Sequence, residues 1–224
     1  MAGSRERIYA DPSAERLFTG ATIITFVRTV ATLVLSLWGA YDGSLTLLVA
    51  GLVTYWVGDT LDGEWARRFD CETRMGGLID MICDRLSCGA FYIGLAWLQP
   101  TPFFGDEPME LIAIPVAVYL FEFMVVDMFL SLAYLAWPIR SPNYFYVIDR
   151  RIYLWNWSRL GKAANSGLFA ILLLVTGWWW LGLIIAVALL VLKCVSLRWL
   201  LQLGLPVPER PVPGGAATGR PSAA

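Results

Sequence analysis

The sequence predicts an all-α membrane protein: about six transmembrane helices in a bundle, both termini cytoplasmic, with a polar metal site at the cytoplasmic ends of helices two and three. Three observations lead there. Of 224 residues, 58% are hydrophobic and only 16% are charged, against roughly half and a quarter in soluble domains. Six apolar stretches, near 20–40, 45–63, 76–98, 110–136, 163–178 and 180–202, each approach the roughly 20 residues that cross a hydrocarbon core. Lys and Arg fall on alternate connections only. Lipid offers the backbone no hydrogen-bond partners, so these spans are expected as helices, not open strands.

Taken in order, residues 1–19 carry Arg5, Glu6, Arg7, Asp11 and Glu15 ahead of any long apolar run. They read as a cytoplasmic segment with an interfacial helix. The first apolar run is long enough to span and lacks a small-residue cleavage site, so it is expected to be retained. The bundle occupies 20–203. Connections near 41–44, 99–109 and 177–180 hold no Lys or Arg, while the other side holds Arg67, Arg68, Arg74, Arg140, Arg150, Arg151, Arg159, Lys162 and Arg198. Positive-inside bias therefore puts both termini in the cytoplasm. Trp178, Trp179 and Trp180 mark the outer boundary, and Trp137, Trp155 and Trp157 the inner one, as an interfacial aromatic belt. Residues 204–224, with Pro206, Pro208, Pro211, Pro213 and Pro221, read as a disordered Pro/Gly/Ala-rich tail.

Composition also excludes chemistry. The net charge of −1 argues against a nucleic-acid partner. The chain has no histidine, which removes every Ser-His-Asp or Cys-His mechanism and any imidazole metal site. Cys71, Cys83, Cys88 and Cys194 make no CxxC pair, so neither zinc nor a disulfide framework is expected.

The chemistry concentrates in one run: Asp59, Asp62, Gly63, Ala66 and Arg67, then eight residues, then Gly76, Asp80 and Asp84. A carboxylate in a membrane segment costs about 2.5 kcal/mol or more on insertion scales, so such groups face cavities and serve function. Asp59 and Asp62 are three apart and Asp80 and Asp84 four apart, so each pair shares a helix face. If the chain reverses around Cys71, two antiparallel helices bring all four acids to matched depth. Gathered acids need a multivalent cation, and hard oxygen donors suit two Mg²⁺ or Mn²⁺ ions, a known device for phosphoryl transfer. Gly63, Ala66 and Gly76 leave room for a bulky ligand, and Arg67 offers a planar fork for phosphate. A cation or proton transporter is the competing reading, but it expects acids spread across the membrane.

This run resembles the signature of the CDP-alcohol phosphotransferase family, DxxDGxxAR-x8-GxxxDxxxD, with every fixed position filled. The resemblance implies an integral-membrane enzyme that transfers a substituted phosphate from a CDP-linked lipid, most often CDP-diacylglycerol, to an alcohol and releases CMP. It implies that Asp59, Asp62, Asp80 and Asp84 hold two divalent ions, with Asp84 also serving as general base. Gly63, Ala66, Arg67 and Gly76 would contact CDP. A second motif of the family, TPNxxTxxR, is matched in part by Gly20-Ala-Thr22-Ile-Ile-Thr25-Phe-Val-Arg28. Thr25 and Arg28 fit; Ala21-Thr22 replaces Pro-Asn, leaving Thr22 as the CDP contact from this segment.

For the acceptor, Arg140, Arg150, Arg151, Arg159 and Lys162 suggest an anion pocket for a polyol phosphate such as inositol phosphate or glycerol phosphate. Cys83-Asp84-Arg85-Leu-Ser87 looks like the inositol-phosphate-using branch, which departs from this chain at Cys88 and in its fourth segment. Glu122 and Asp127 occupy that segment, either to contact an acceptor or to pair with Arg85 or Arg28. The resemblance further implies a bacterial-type plasma membrane, a site facing the cytoplasm, and a homodimer.

Overall fold

The computed structural model describes residues 8–206 of the chain, without the side chains of Arg159 and Ser166. Helix α1, Gly20–Asp42, starts where Thr19 Oγ1 accepts the Thr22 N–H at 3.2 Å, and stops at Gly43, whose φ of 70° few other residues adopt. Its buried face is Thr22, Thr25, Arg28, Thr29, Thr32, Ser36 and Gly39, while Ile23, Phe26, Val27, Val30, Val34 and Leu37 point outward. That is the reverse of a soluble amphipathic helix. Between helices in lipid there is no hydrophobic drive, so small and polar residues form the packing seam.

Helix α2, Leu45–Arg68, and helix α3, Arg74–Leu98, form a hairpin, capped at their starts by Ser44 and Thr73. The chain reverses through 69–73, as expected around Cys71. Helix α1 packs against both arms of the hairpin. The approach to α2 is close because Gly58 lacks a side chain: a Cβ there would lie 2.5 Å from Arg28 Cδ. Helix α4, Ala113–Ala136, contains a wider π turn at Glu122–Asp127. After a 3-10 segment, Pro142–Val147, comes the short helix α5, Arg150–Asn156, capped by Asp149. Helix α6 covers 159–176 with a second π turn at Ala164–Leu168, and α7 is Trp179–Leu203.

Each of the six apolar stretches is thus helical, with limits shifted by a few residues. Three of the helices, Gly20–Asp42, Ala113–Ala136 and Trp179–Leu203, are long and apolar enough to cross a membrane. The 3-10 segment and α5 were not foreseen. The interfacial helix expected in 1–19 is absent from its described part: residues 8–19 hold only a 3-10 turn, Pro12–Ala14, and an isolated bridge from Tyr9 to Ile139. Glu15 explains why this strand of chain stays extended, since its carboxylate accepts the Arg74 and Met75 N–H groups at the start of α3. Arg5, Glu6 and Arg7, and the tail beyond Pro206, lie outside the described residues. All four cysteines are free, with Cys83 and Cys88 buried.

Two apolar cores flank a polar layer. One gathers Leu48, Leu52, Cys88, Phe91, Tyr92, Tyr119, Phe123 and Phe169; the other gathers Met81, Leu130, Tyr134, Phe145, Ile152, Trp157 and Leu200. Along α3, Asp84 lies between Met81 and Cys88. Along α4, Asp127 lies between Phe123 and Leu130. The charged groups therefore collect at one level of the bundle, where the two cores meet.

A candidate active site built on four carboxylates

At that level α1 delivers Arg28 into the hairpin. Its Nε donates to Asp62 Oδ2 at 2.8 Å, and its Nη2 donates to Asp80 Oδ1 at 2.5 Å and Asp84 Oδ1 at 2.8 Å. Asp59 Oδ1 stands 3.6 Å from the same Nη2. Thr25, one turn earlier, donates to Asp62 Oδ2 at 2.7 Å. The four acids are unequally open: side-chain exposure is 4% at Asp62, 16% at Asp84, 35% at Asp80 and 47% at Asp59. Asp62 is thus the fixed corner, and the others present oxygens to open space.

Carboxylate oxygens of Asp59, Asp62 and Asp80 come within 4.8 Å of one another. Asp84 joins them through Arg28. Four carboxylates against one guanidinium leave excess negative charge, and every available donor is a hard oxygen. This donor set fits Mg²⁺ or Mn²⁺, as judged by ligand type and crowding.

The acids form one wall of a cavity of ≈ 210 Å³. Thr22, Gly63, Ala66, Arg67 and Gly76 also line it. Thr22 Oγ1 shares a 3.0 Å hydrogen bond with Thr19 Oγ1, and a Cβ on Gly76 would reach to 3.8 Å from that Thr22 oxygen. The Arg67 guanidinium folds over Gly63 and meets Glu64 at 3.3 Å, both side chains being more than half exposed. Such an exposed pair holds Arg67 only weakly.

Of the five basic residues read as an acceptor pocket, Lys162 lines this cavity, donating to Asn143 Oδ1 at 2.7 Å. Arg140 is spent on the Tyr9 carbonyl at 2.9 Å and Asp70 at 3.5 Å. Arg151 stacks 4.1 Å over the Trp199 ring, and Arg150 is exposed. The Arg159 side chain lies outside the described residues. Glu122 and Asp127 part company. Asp127 lines the cavity and pairs with Arg85 and, at 2.7 Å, with the buried Lys193 of α7. Glu122 is fully buried, and its carboxyl oxygens have no hydrogen-bond partner among the described residues.

Sequence reasoning missed three features. Arg28 as the common partner of the acids is one; a half-matched motif was its only trace. Lys193 is another, a lone cation in an apolar run. The third is a clasp at the cavity rim, where Glu72 accepts from Ser141 Oγ at 2.9 Å and Tyr144 Oη at 2.7 Å. Burial and the neighbouring Glu72 carboxylate push the Tyr144 phenol above its ordinary pKa.

With this geometry in view, the chain is an integral membrane protein that belongs to the CDP-alcohol phosphatidyltransferase family, whose pattern it matches over residues 18–196. Among curated proteins it resembles the phosphatidylinositol phosphate synthase of Mycobacterium tuberculosis, 43% identical over 63 residues, covering 25% of this chain and 29% of that protein. It also resembles the enzyme of the same name from Mycolicibacterium smegmatis, 36% identical over 100 residues, covering 41% of this chain and 40% of that protein. The matched stretch therefore spans well under half the length of either relative. No solved structure matches the chain.

Proposed function

We propose that this chain transfers the phosphatidyl group of CDP-diacylglycerol to a hydroxyl of a polyol phosphate, such as inositol phosphate or glycerol phosphate, and releases CMP. The observation that carries the proposal is the convergence of Asp59, Asp62, Asp80 and Asp84 on one wall of a cavity that Arg67 and Lys162 also line. Family membership and the names of the relatives support the reaction and the acceptor class.

Asp59, Asp62, Asp80 and Asp84 would hold two Mg²⁺ or Mn²⁺ ions; the chemistry supplied there is neutralisation of the diphosphate and of the departing CMP. Arg67 leaves its weak exposed pairing to bind phosphate oxygens. Gly63, Ala66, Gly76 and Thr22 form the surface against which CDP lies. The acceptor hydroxyl oxygen attacks the phosphorus that bears diacylglycerol, the bond to CMP breaks, and the electron pair leaves with the CMP oxygen. Asp84 accepts the hydroxyl proton. Lys162, which lines the cavity, contacts the acceptor phosphate.

In this reading residues 20–203 form the catalytic domain and cross the membrane six times. Both termini and the cavity mouth face the cytoplasm, in a bacterial-type plasma membrane, and the unit is a homodimer. The distribution of Lys and Arg supports the orientation. The test is CMP release by purified protein in CDP-diacylglycerol liposomes with Mn²⁺, a panel of polyol phosphates, and mass spectrometry of the lipid formed. One new phospholipid per CMP is expected, lost in Asp80→Asn and Asp84→Asn. Folded protein that releases no CMP with any acceptor would refute the proposal.

A further inference from the structure

Beyond the acids, the cavity reaches a second wall made by α5 and α6, where Asn156 and Asn165 line it. They are 3% and 7% exposed, and the Oδ1 atom of each has no hydrogen-bond partner among the described residues. A buried polar atom left unpaired beside a cavity signals a partner that is not part of the protein. For Asn156 the amide orientation follows from its surroundings: Nδ2 donates to the Ile152 carbonyl at 2.8 Å and to Ser196 Oγ at 3.0 Å. Both N–H groups are thereby used, and a carbonyl cannot accept from an amide oxygen, so Oδ1 is the free end. At Asn165 the backbone carbonyl takes the Tyr119 hydroxyl at 2.8 Å within the π turn of α6, so the side chain is not needed to close the helix there.

An amide oxygen only accepts, so whatever meets these two groups must donate. The transfer reading supplies such donors as the hydroxyls of its polyol phosphate acceptor. Ser131 of α4, 5% exposed, lines the same cavity and accepts from Arg85 at 3.4 Å. We propose that Asn156 and Asn165 form a hydroxyl-reading subsite that selects a polyol as the acceptor and sets which of its hydroxyls faces the acids. The assignment deepens the phosphatidyl-transfer reading, on which it rests for the role of the polyol as co-substrate. These are specificity residues, and they take no part in the chemistry at phosphorus.

The test uses the full chain in detergent with Mn²⁺, titrated calorimetrically with inositol 1-phosphate, glycerol 3-phosphate and deoxy analogues of inositol 1-phosphate, beside KM values from CMP release. Asn165→Ala is expected to weaken one of the polyol phosphates about tenfold while KM for CDP-diacylglycerol stays within twofold. A deoxy analogue lacking the hydroxyl that Asn165 reads should bind wild type about tenfold more weakly, with no further loss in the variant. Asn156→Ser is the companion variant; should it fail to fold, Asn165→Ala decides alone. Unchanged polyol binding in Asn165→Ala, an equal loss toward CDP-diacylglycerol, or a deoxy penalty identical in variant and wild type would overturn the subsite. Polyol phosphate binding that depends on Asn165 in a protein releasing no CMP would refute the transfer reading and leave the subsite standing. CMP release with Asn165-independent acceptor binding would do the reverse.

Discussion

Arg28 faces four carboxylates from a site that is almost closed to solvent, and its Nη1 has no partner among the described residues. Removing one member of a buried, hydrogen-bonded charge group strands the others. Arg28→Gln is therefore expected to cost about 3–5 kcal/mol of stability, read as a lowered thermal midpoint in detergent. Millimolar Mn²⁺ should recover a large part of that loss, because the four acids then have another counter-charge. A midpoint unchanged by the substitution would show that the arginine is not what gathers them. The acids themselves were legible in the sequence, since Asp59 and Asp62 stand three positions apart and Asp80 and Asp84 four, a pattern that survives along one hairpin. Arg28 was not legible as their partner. Its hydrogen-bonded ion pairs bridge 34 to 56 residues, a separation at which no local periodicity carries information.

Helices α3, α4 and α7 meet at Asp127, which draws Arg85 from one neighbour and Lys193 from the other. A charged tie of this kind fixes how three otherwise apolar rods sit, and it keeps Arg85, next to Asp84 in the chain, at the cavity wall. Asp127→Asn leaves two buried cations without their counter-ion, and a loss of about 3–5 kcal/mol is expected. The measurement is thermal unfolding beside Lys193→Met, Asp127→Asn and the double variant; a double variant more stable than Asp127→Asn alone would confirm the coupling. Helix positions were readable because an apolar run of about 20 residues admits one backbone solution in lipid. The π turns at Glu122–Asp127 and Ala164–Leu168 were not, since they depend on which partner claims a displaced group, as Tyr119 claims the Asn165 carbonyl. The short helix α5 also escaped, being seven residues with no long apolar run.

At the scale of the whole molecule, a polar layer separates two apolar cores. The hairpin turn at 69–73, the Glu72 clasp and Lys162 gather at the cavity rim, while the connection at 99–112 packs with the opposite core. If the basic connections are cytoplasmic, a cysteine placed at Arg68 in a cysteine-free background should react with a membrane-impermeant maleimide only in inside-out vesicles. A cysteine at Asp106 should react only in right-side-out vesicles. The opposite pattern would invert the topology and move the cavity mouth to the other face. Fold class followed from composition; the part Arg28 plays in gathering the acids did not, because it depends on α1 wedging against both arms of the hairpin.

The proposed transfer turns on four carboxylates on α2 and α3 that gather divalent ions in order to expel CMP. Its most direct measurement titrates Mn²⁺ into the purified chain by electron paramagnetic resonance while following CMP release from CDP-diacylglycerol. Tight Mn²⁺ occupancy should rise in step with CMP release, and both should vanish in Asp80→Asn and with excess EDTA. CMP release that persists in EDTA, or Mn²⁺ binding that survives Asp80→Asn unchanged, would contradict the account.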